Sequence, residues 1–260
     1  MDMLLFFIII FLLSCLFTVL GLGGAAVYVP IFFWLGIPLD AAIASALFTN
    51  IIATGISSYN YYINKLIDFK ITMWIVAGTL LCVPVGVWFS TIIPVKIIFG
   101  LFALFLFLGA ARTFFGKFET EDYKTKLKWR NSLMDNTALK LSAIGGLAGI
   151  AGGTLGVGGG ILIVPLLTEM SIPLKKIVVL TTFTVFFASL AGFVGHATLT
   201  KLDYFFLFII GLAAMLGAFF GSTQIARDKI KHETIRKAFA ILLFIFGLKF
   251  AWDFLFMYTN

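Results

Sequence analysis

Two glycine-rich interruptions of an otherwise apolar chain constrain its fold more than any other feature. One interruption runs from Gly152 to Pro165 and reads Gly-Gly-Thr-Leu-Gly-Val-Gly-Gly-Gly-Ile-Leu-Ile-Val-Pro. A weaker copy runs from Gly21 to Pro30 and reads Gly-Leu-Gly-Gly-Ala-Ala-Val-Tyr-Val-Pro. Because glycine holds a helix less well than any other residue except proline, each run predicts a break inside a hydrophobic helix.

The two runs belong to one sequence repeat, because a constant offset of 135 positions aligns residues well beyond the glycines. The matched pairs are Gly21 with Gly156, Gly23 with Gly158, Gly24 with Gly159, Pro30 with Pro165, Thr49 with Thr184, and Asp68 with Asp203. We therefore predict a first repeat over residues 1–116, a linker over 117–136, and a second repeat over 137–260.

Composition places both repeats in a lipid bilayer. The chain is 61% hydrophobic and 12% charged, with a mean hydropathy of +1.09, which leaves too little polar surface for a soluble domain. Several apolar stretches reach the roughly 20 residues that cross a bilayer, and they are continuous rather than alternating as in a β-barrel. The predicted fold is an all-α polytopic membrane protein, with helices over about 3–20, 39–62, 71–92, 96–115, 173–198, 203–225 and 234–257.

The distribution of basic residues predicts how the broken segments sit in the membrane. If each broken segment enters the bilayer and returns to the same face, each repeat adds three transmembrane helices and the repeats are inverted. One face then receives sixteen of the nineteen Lys and Arg residues, including those of the linker. If each broken segment crossed the bilayer fully, the split would be ten to eight, with Lys249 assigned to neither face. Cytoplasmic loops are enriched in Lys and Arg, so we predict inverted repeats with the linker inside and both termini outside.

Such breaks predict an anion-binding site near the middle of the membrane. Irregular backbone at that depth is tolerated only inside protein or against a cavity, and inverted repeats bring two such breaks together. Each half-helix that follows a break starts with N–H groups lacking partners and a positive dipole end. The predicted backbone ligands are Gly21, Gly23, Gly24, Gly156, Gly158, Gly159 and Gly160.

Glycines can instead permit close helix packing, and we prefer that interpretation for two other patterns. These are Gly145-x-x-x-Gly149-x-x-x-Gly153 and Gly217-x-x-x-Gly221. For the paired runs, the duplication and the charge distribution favour a site.

Polar side chains cluster in the helix that follows each break. The candidates for substrate binding are Thr49, Asn50, Thr181 and Thr184, and the same helices also carry Ser45, Thr54, Ser57, Ser58, Thr182 and Ser189. The alternative is that these hydroxyls bond to their own helix backbone, as membrane Ser and Thr often do. No carboxylate falls in the middle of a predicted span, which favours an anion over a cation as the substrate.

A few other reactive residues receive a structural interpretation. Cys15 and Cys82 both fall in apolar segments and are predicted to be free core residues, so neither a metal site nor a cofactor is predicted. His196 could take a proton, but we expect an interfacial histidine. Lys249 is expected to reach toward the membrane surface and to pair with Asp253 one turn later.

These residues carry a family resemblance that extends over nearly the whole chain. The segments Leu22-Gly-Gly through Pro30 and Gly156-Val-Gly-Gly-Gly through Pro165, together with Lys201-Leu-Asp203 and Gly247-Leu-Lys249, resemble signatures of the TauE/SafE family of sulfite exporters and anion permeases. The resemblance implies export of sulfite or an organosulfonate such as sulfoacetate across a prokaryotic plasma membrane. The first run departs from the triple glycine, with Ala25 and Ala26 in place of Gly160 and Ile161, so the two half-sites are expected to be unequal.

The predicted function is therefore secondary transport of a small sulfur oxyanion rather than catalysis. An anion channel would use the same site physics, and saturable flux with counterflow would separate the two. A membrane-embedded hydrolase would need a nucleophile or a carboxylate cluster at one face, which the sequence lacks. The expected partners are the small anion and the lipid bilayer, with no nucleic acid, and a homodimer is compatible with the sequence.

Overall fold

The computed structural model describes residues 3–20, 23–115, 137–170, 172, 174–226 and 232–256. These residues form ten α-helices and no strand. The helices are α1 (Met3–Leu20), α2 (Ala25–Trp34), α3 (Leu39–Ile63), α4 (Phe69–Ile92), α5 (Val95–Phe115), α6 (Thr137–Leu155), α7 (Gly160–Glu169), α8 (Leu174–Ala197), α9 (Tyr204–Ala226) and α10 (His232–Phe256). The prediction of an all-helical chain is confirmed, and the predicted helix ends agree with the observed ones to within about two residues.

Two of these helices are too short to cross a bilayer. Helices α2 and α7 have 10 residues each. At 1.5 Å per residue each is about 15 Å long, half of a hydrocarbon core of about 30 Å. Both begin directly after a glycine run, and both of their ends lie 135 positions apart, so the sequence repeat is also a repeat of secondary structure.

Helix packing follows the same repeat. Helix α1 packs along α9, and α6, which corresponds to α1, packs along α4, which corresponds to α9. Likewise α3 packs against α9, and α8, which corresponds to α3, packs against α4. In addition, α3 packs against its own counterpart α8, and α5 packs against its counterpart α10. Exchanging the two halves therefore reproduces these contacts. That the halves have opposite orientations in the membrane stays a prediction.

Small residues set the closest helix contacts. A Cβ on Gly149 of α6 would lie 2.6 Å from the backbone oxygen of Thr79 in α4, and one on Gly153 would overlap the oxygen of Val83. A Cβ on Gly221 of α9 would lie 2.5 Å from the backbone oxygen of Cys15 in α1. The prediction that these glycines serve close packing is confirmed, because a side chain at any of them would meet the backbone of the neighbouring helix.

The outer surface of the bundle is apolar, as a lipid-facing surface requires. Five helices are long and apolar enough to span a membrane: α3, α4, α6, α8 and α9. Large side chains such as Leu81, Trp88 and Phe208 are more than half exposed on them. A soluble protein rarely exposes so many neighbouring apolar side chains. Cys15 and Cys82 are free cysteines, but both are only half-buried and not core residues as predicted.

Candidate functional site

The first glycine turn lies against the side chain of Asn50. Gly23 has φ +67°, a left-handed conformation that a residue with a side chain rarely adopts, and Gly24 follows it as the N-cap of α2. The N–H of Gly24 donates to Oδ1 of Asn50 over 2.9 Å. Asn50 in α3 therefore satisfies one of the N–H groups that the start of α2 leaves without an intrahelical partner.

The second glycine turn reaches the same side chain from the other half of the chain. Gly156, Gly158 and Gly159 have φ values of +68°, +68° and +76°. A Cβ on Gly158 would lie 2.8 Å from Nδ2 of Asn50 and 2.9 Å from Oγ of Ser189. Because only a residue without a side chain fits here, the backbone of this turn directly adjoins the two polar groups.

A hydrogen bond between the two halves joins these turns. Nδ2 of Asn50 donates to Oγ of Ser189 in α8 over 2.8 Å, and both side chains are fully buried. Val185 occupies the position that corresponds to Asn50 in the second repeat, and its Cγ1 lies within 3.0 Å of the Cβ positions of both Gly23 and Gly158. Both glycine turns thus meet at one place, where the side chains of Asn50 and Val185 adjoin both of them.

The surroundings of this place are polar but uncharged. Every buried polar side chain in the described residues is a hydroxyl, the Asn50 amide or the His196 imidazole. The half-helices α2 and α7 direct the positive ends of their dipoles toward the turns. Since hydroxyl, amide and backbone N–H groups can all donate, the arrangement suits a ligand that accepts hydrogen bonds.

The structure places the other predicted residues away from this centre or turns them to other partners. The hydroxyls of Thr49 and Thr184 donate to their own helices, at the carbonyls of Ser45 and Leu180. The alternative interpretation of backbone bonding therefore describes these two threonines.

At two of the predicted glycines, the space that a side chain would occupy is filled by neighbouring helices. A Cβ on Gly156 would overlap the side chain of Ile43, and one on Gly159 would lie 2.6 Å from the carbonyl oxygen of Ala148. Gly160 is the first residue of α7, and Gly21 lies outside the described residues.

Two residues of the centre carry a weaker sequence signal. Ser189 was visible only as one of several hydroxyls in its helix, since the repeat offset pairs it with Thr54 and not with Asn50. Val185 has no polar signal at all, and only its place in the repeat, opposite Asn50, could have indicated it.

Two residues near the ends of their helices have defined partners. His196, in the last turn of α8, is completely buried, with Nε2 lying 2.8 Å from the carbonyl oxygen of Gly153. Its position at the membrane interface stays a prediction. Lys249 forms the predicted ion pair with Asp253, 2.6 Å from Nζ to Oδ1. The Nε1–H of Trp34, at the end of α2, donates to the same carboxylate over 3.0 Å.

A separate crevice of about 650 Å³ lies between α5 and the helices α4, α6 and α7. Among the described lining residues, Thr154 alone has a polar side chain, and its hydroxyl already donates to the carbonyl of Ile150 over 2.8 Å. The described lining of this crevice therefore offers an anion no free hydroxyl, unlike the surroundings of the two glycine turns.

Comparison with known proteins identifies a family that matches most of the chain. A family model described as "Sulfite exporter TauE/SafE" matches residues 6–250. The chain is 25% identical over 257 residues to "Probable membrane transporter protein YunE" of Bacillus subtilis (strain 168), which covers 91% of this chain and 92% of that protein.

Two plant proteins match shorter stretches. The chain is 42% identical over 86 residues to "Sulfite exporter TauE/SafE family protein 5" of Arabidopsis thaliana, and 35% identical over 105 residues to family protein 6 of the same plant. These matches cover 32% and 39% of this chain but only 19% and 23% of the plant proteins. No solved structure matches the chain.

Proposed function

The chain belongs to the TauE/SafE family of sulfite exporters, and from this premise we propose that it exports a small sulfur oxyanion by alternating access. The substrate is sulfite or a small organosulfonate, and the membrane is the plasma membrane of a prokaryote. The observation that carries the proposal is the meeting of both glycine turns at the hydrogen-bonded pair Asn50 and Ser189.

Asn50 indicates where a substrate oxygen binds. Its amide oxygen accepts the N–H of Gly24 at the start of α2, which is the hydrogen bond that an oxyanion at a helix N-terminus would accept. An anion that bound beside this closed turn would accept the N–H groups of the second turn, while the Asn50 NH₂ group and the Ser189 hydroxyl would donate to its other oxygens. Sulfite accepts hydrogen bonds at each oxygen and so matches a site built from donors.

The neutral character of the site fits release as well as binding. A buried Lys or Arg would hold an anion strongly, but the described residues place no basic side chain beside Asn50. The anion is held by dipoles alone, so its affinity is modest and it can leave toward either face. An inside-negative potential favours outward movement of negative charge by about 2.3 kcal/mol per charge per 100 mV.

Access from alternate faces follows from inverted repeats. The symmetric packing of the two halves around Asn50 and Val185 supports an exchange in which each half adopts the conformation of the other. The site would open first to one face and then to the other, as in other transporters that are built from inverted repeats.

Orientation can be tested at two corresponding loop positions. Asn64 and Leu199 are both exposed and lie 135 positions apart, at the ends of α3 and α8. In a variant without Cys15 and Cys82, a membrane-impermeant maleimide added to intact cells should label Leu199→Cys but not Asn64→Cys. Equal labelling of both positions would mean that the repeats are parallel.

Transport itself is tested with purified protein in liposomes loaded with sulfite. We expect saturable sulfite efflux that is faster at an inside-negative potential and that is accompanied by exchange with external sulfite. Sulfate, chloride, sulfoacetate and acetate are added as competitors to measure selectivity. Flux without saturation or counterflow would indicate a channel. Movement of cations or neutral solutes only would rule out the anion carrier.

A further inference from the structure

We infer that Ser58, Tyr61 and Thr181 form a second anion-binding station. It lies between the Asn50–Ser189 pair and the basic face, which is the predicted cytoplasmic face that carries most of the Lys and Arg residues. The inference rests on the proposed function for the identity of the ligand, which is the transported oxyanion. The station itself rests on three buried hydroxyl groups that have no hydrogen-bond partner in the structure.

The helices α3 and α8 hold these three residues at one level. The pair runs antiparallel: Asn50 bonds to Ser189, and Tyr61 packs with Val178 in one buried cluster. The same number of residues separates Asn50 from Tyr61 as separates Val178 from Ser189, so the register is constant. Ser58 lies one turn before Tyr61 and Thr181 one turn after Val178, which brings Ser58 and Thr181 opposite each other.

The unpartnered hydroxyls are exceptional among their neighbours. Ser57 and Thr182 lie next to Ser58 and Thr181 in the chain and also oppose each other, yet their hydroxyls donate to the carbonyls of Ala53 and Val178. Ser58, Tyr61 and Thr181 are 6%, 0% and 0% exposed, and each leaves its hydroxyl without a partner. A buried polar group without a partner costs free energy, so these three groups indicate a ligand that accepts from them.

The station lies on the path from the basic face to the central pair. Eight residues separate Asn50 from Ser58, which places the station about 12 Å from the central pair along α3. The direction is toward the ends of α3 and α8 that carry Lys65 and Lys175, the face that collects most of the basic charge. An anion drawn to that face by its charge would meet the three hydroxyls before it reached Asn50.

The far side of the central pair is built differently. Toward the start of α3 and the end of α8 the facing residues are Leu47 and Gly192, where a Cβ on Gly192 would lie 3.2 Å from Cδ1 of Leu47. Apart from Ser45, Thr49 and His196, the buried residues of the two helices on that side are small or apolar, and the Thr49 hydroxyl already donates to the carbonyl of Ser45. The structure therefore provides a polar route on the basic side of the centre and an apolar closure on the other.

The test uses substitutions that remove only the hydroxyls. Ser58→Ala, Tyr61→Phe and Thr181→Val are combined, and the matched control combines Ser57→Ala with Thr182→Val. Sulfite uptake is measured in inside-out membrane vesicles, which present the basic face to the medium, and in right-side-out vesicles. We expect the triple variant to raise KM in inside-out vesicles at least tenfold and to leave KM in right-side-out vesicles unchanged.

Thermal stability separates this role from a structural one. Because the three hydroxyls have no partner, their removal should leave the melting temperature without sulfite unchanged or higher, whereas the control pair loses its backbone bonds. An unchanged inside-out KM, or a melting temperature that falls below that of the control, would overturn the station and leave bound water as its occupant. If the triple variant does not fold, Tyr61→Phe alone must raise the inside-out KM.

Failure of the station and failure of the proposed function give different results. Asn50→Asp should abolish sulfite transport in both kinds of vesicle if the central site is correct. If Asn50→Asp abolishes transport while the triple variant transports like the wild type, only the station is wrong. If Asn50→Asp transports sulfite normally, the central site is wrong as well.

Discussion

The two glycine turns have the same place in their repeats but are completed in different ways. The first turn has one described glycine in a left-handed conformation, Gly23, and a side-chain cap, because Asn50 accepts the N–H of Gly24. The second has three left-handed glycines, and the described residues provide no side-chain acceptor for the N–H of Gly159. The residue that would correspond to Asn50 there is Val185.

Under the proposed function, this difference would give a duplicated chain one substrate site rather than two. Two identical amides would each cap their own helix, and the N–H groups of both turns would already have acceptors. With one amide and one valine, the first turn is closed by protein and the second keeps its donors for a ligand. The single Asn50 side chain also reaches Ser189, so one residue joins both halves at the centre.

The largest effect is expected from a negative charge at Asn50, the side chain that adjoins both glycine turns. Asn50→Asp keeps the shape of the side chain and an oxygen for the N–H of Gly24, but it places a carboxylate at the proposed anion site. Two like charges about 4 Å apart repel by about 4 kcal/mol at an effective dielectric constant of 20, so sulfite efflux from liposomes should fall at least 100-fold.

Asn60→Asp is the matched control for that substitution. Asn60 lies in the same helix, and its amide likewise donates to a serine of another helix, Ser222 of α9, over 3.0 Å. It lies away from both turns, so its substitution should change sulfite efflux less than threefold. Equal losses in the two variants would mean that charge in α3, and not charge at the site, prevents transport.

The second turn can be tested by giving one of its glycines a side chain. Gly158→Ala pays roughly 1–2 kcal/mol for a left-handed conformation and brings a methyl group within 3 Å of Asn50 and Ser189. Gly36→Ala has the same conformational cost, since Gly36 has φ +86°, but nothing lies within 4 Å of its Cβ position. Both variants should melt at lower temperature, and only Gly158→Ala should lose about 30-fold or more in sulfite efflux.

Making the two turns alike should weaken binding less than either change above. Val185→Asn would place a second amide at the position corresponding to Asn50, where it can accept the N–H groups of the second turn in competition with sulfite. We expect about tenfold weaker sulfite binding by isothermal titration, with Val185→Thr as a control of similar shape. Tighter sulfite binding to Val185→Asn would contradict the idea that the asymmetry leaves the second turn open.

The sequence was sufficient for the helices and for the location of the turns, for a physical reason. Apolar length and glycine runs are local signals, and they indicated where α2 and α7 begin, while the constant offset paired the two halves. Asn50 was predicted as a site residue because it is a polar residue in the helix that follows the first glycine run. The offset could also have identified Val185, but it gave no reason to look for an apolar residue at a polar site.

The partners of individual hydroxyl groups were beyond the sequence. Thr49 and Thr184 match each other through the offset, but rotation about one side-chain bond decides whether a hydroxyl faces the centre or its own helix. Ser189 shows the same limitation, since it meets Asn50 only through the antiparallel register of α3 and α8. Contacts across helices depend on packing that no spacing within one helix reveals.

The smallest expected effect concerns these matched threonines. Thr49→Val and Thr184→Val each remove a hydroxyl that already donates to a carbonyl one turn earlier, at 2.8 Å in both cases. Because that proton is not offered to a ligand, each substitution should weaken sulfite binding less than threefold, whereas loss of a direct donor would cost about 1 kcal/mol or more. Titration of both variants with sulfite is the measurement. A tenfold loss in Thr184→Val alone would show that its hydroxyl turns toward the anion on binding, and would extend the asymmetry of the two turns to the helices behind them.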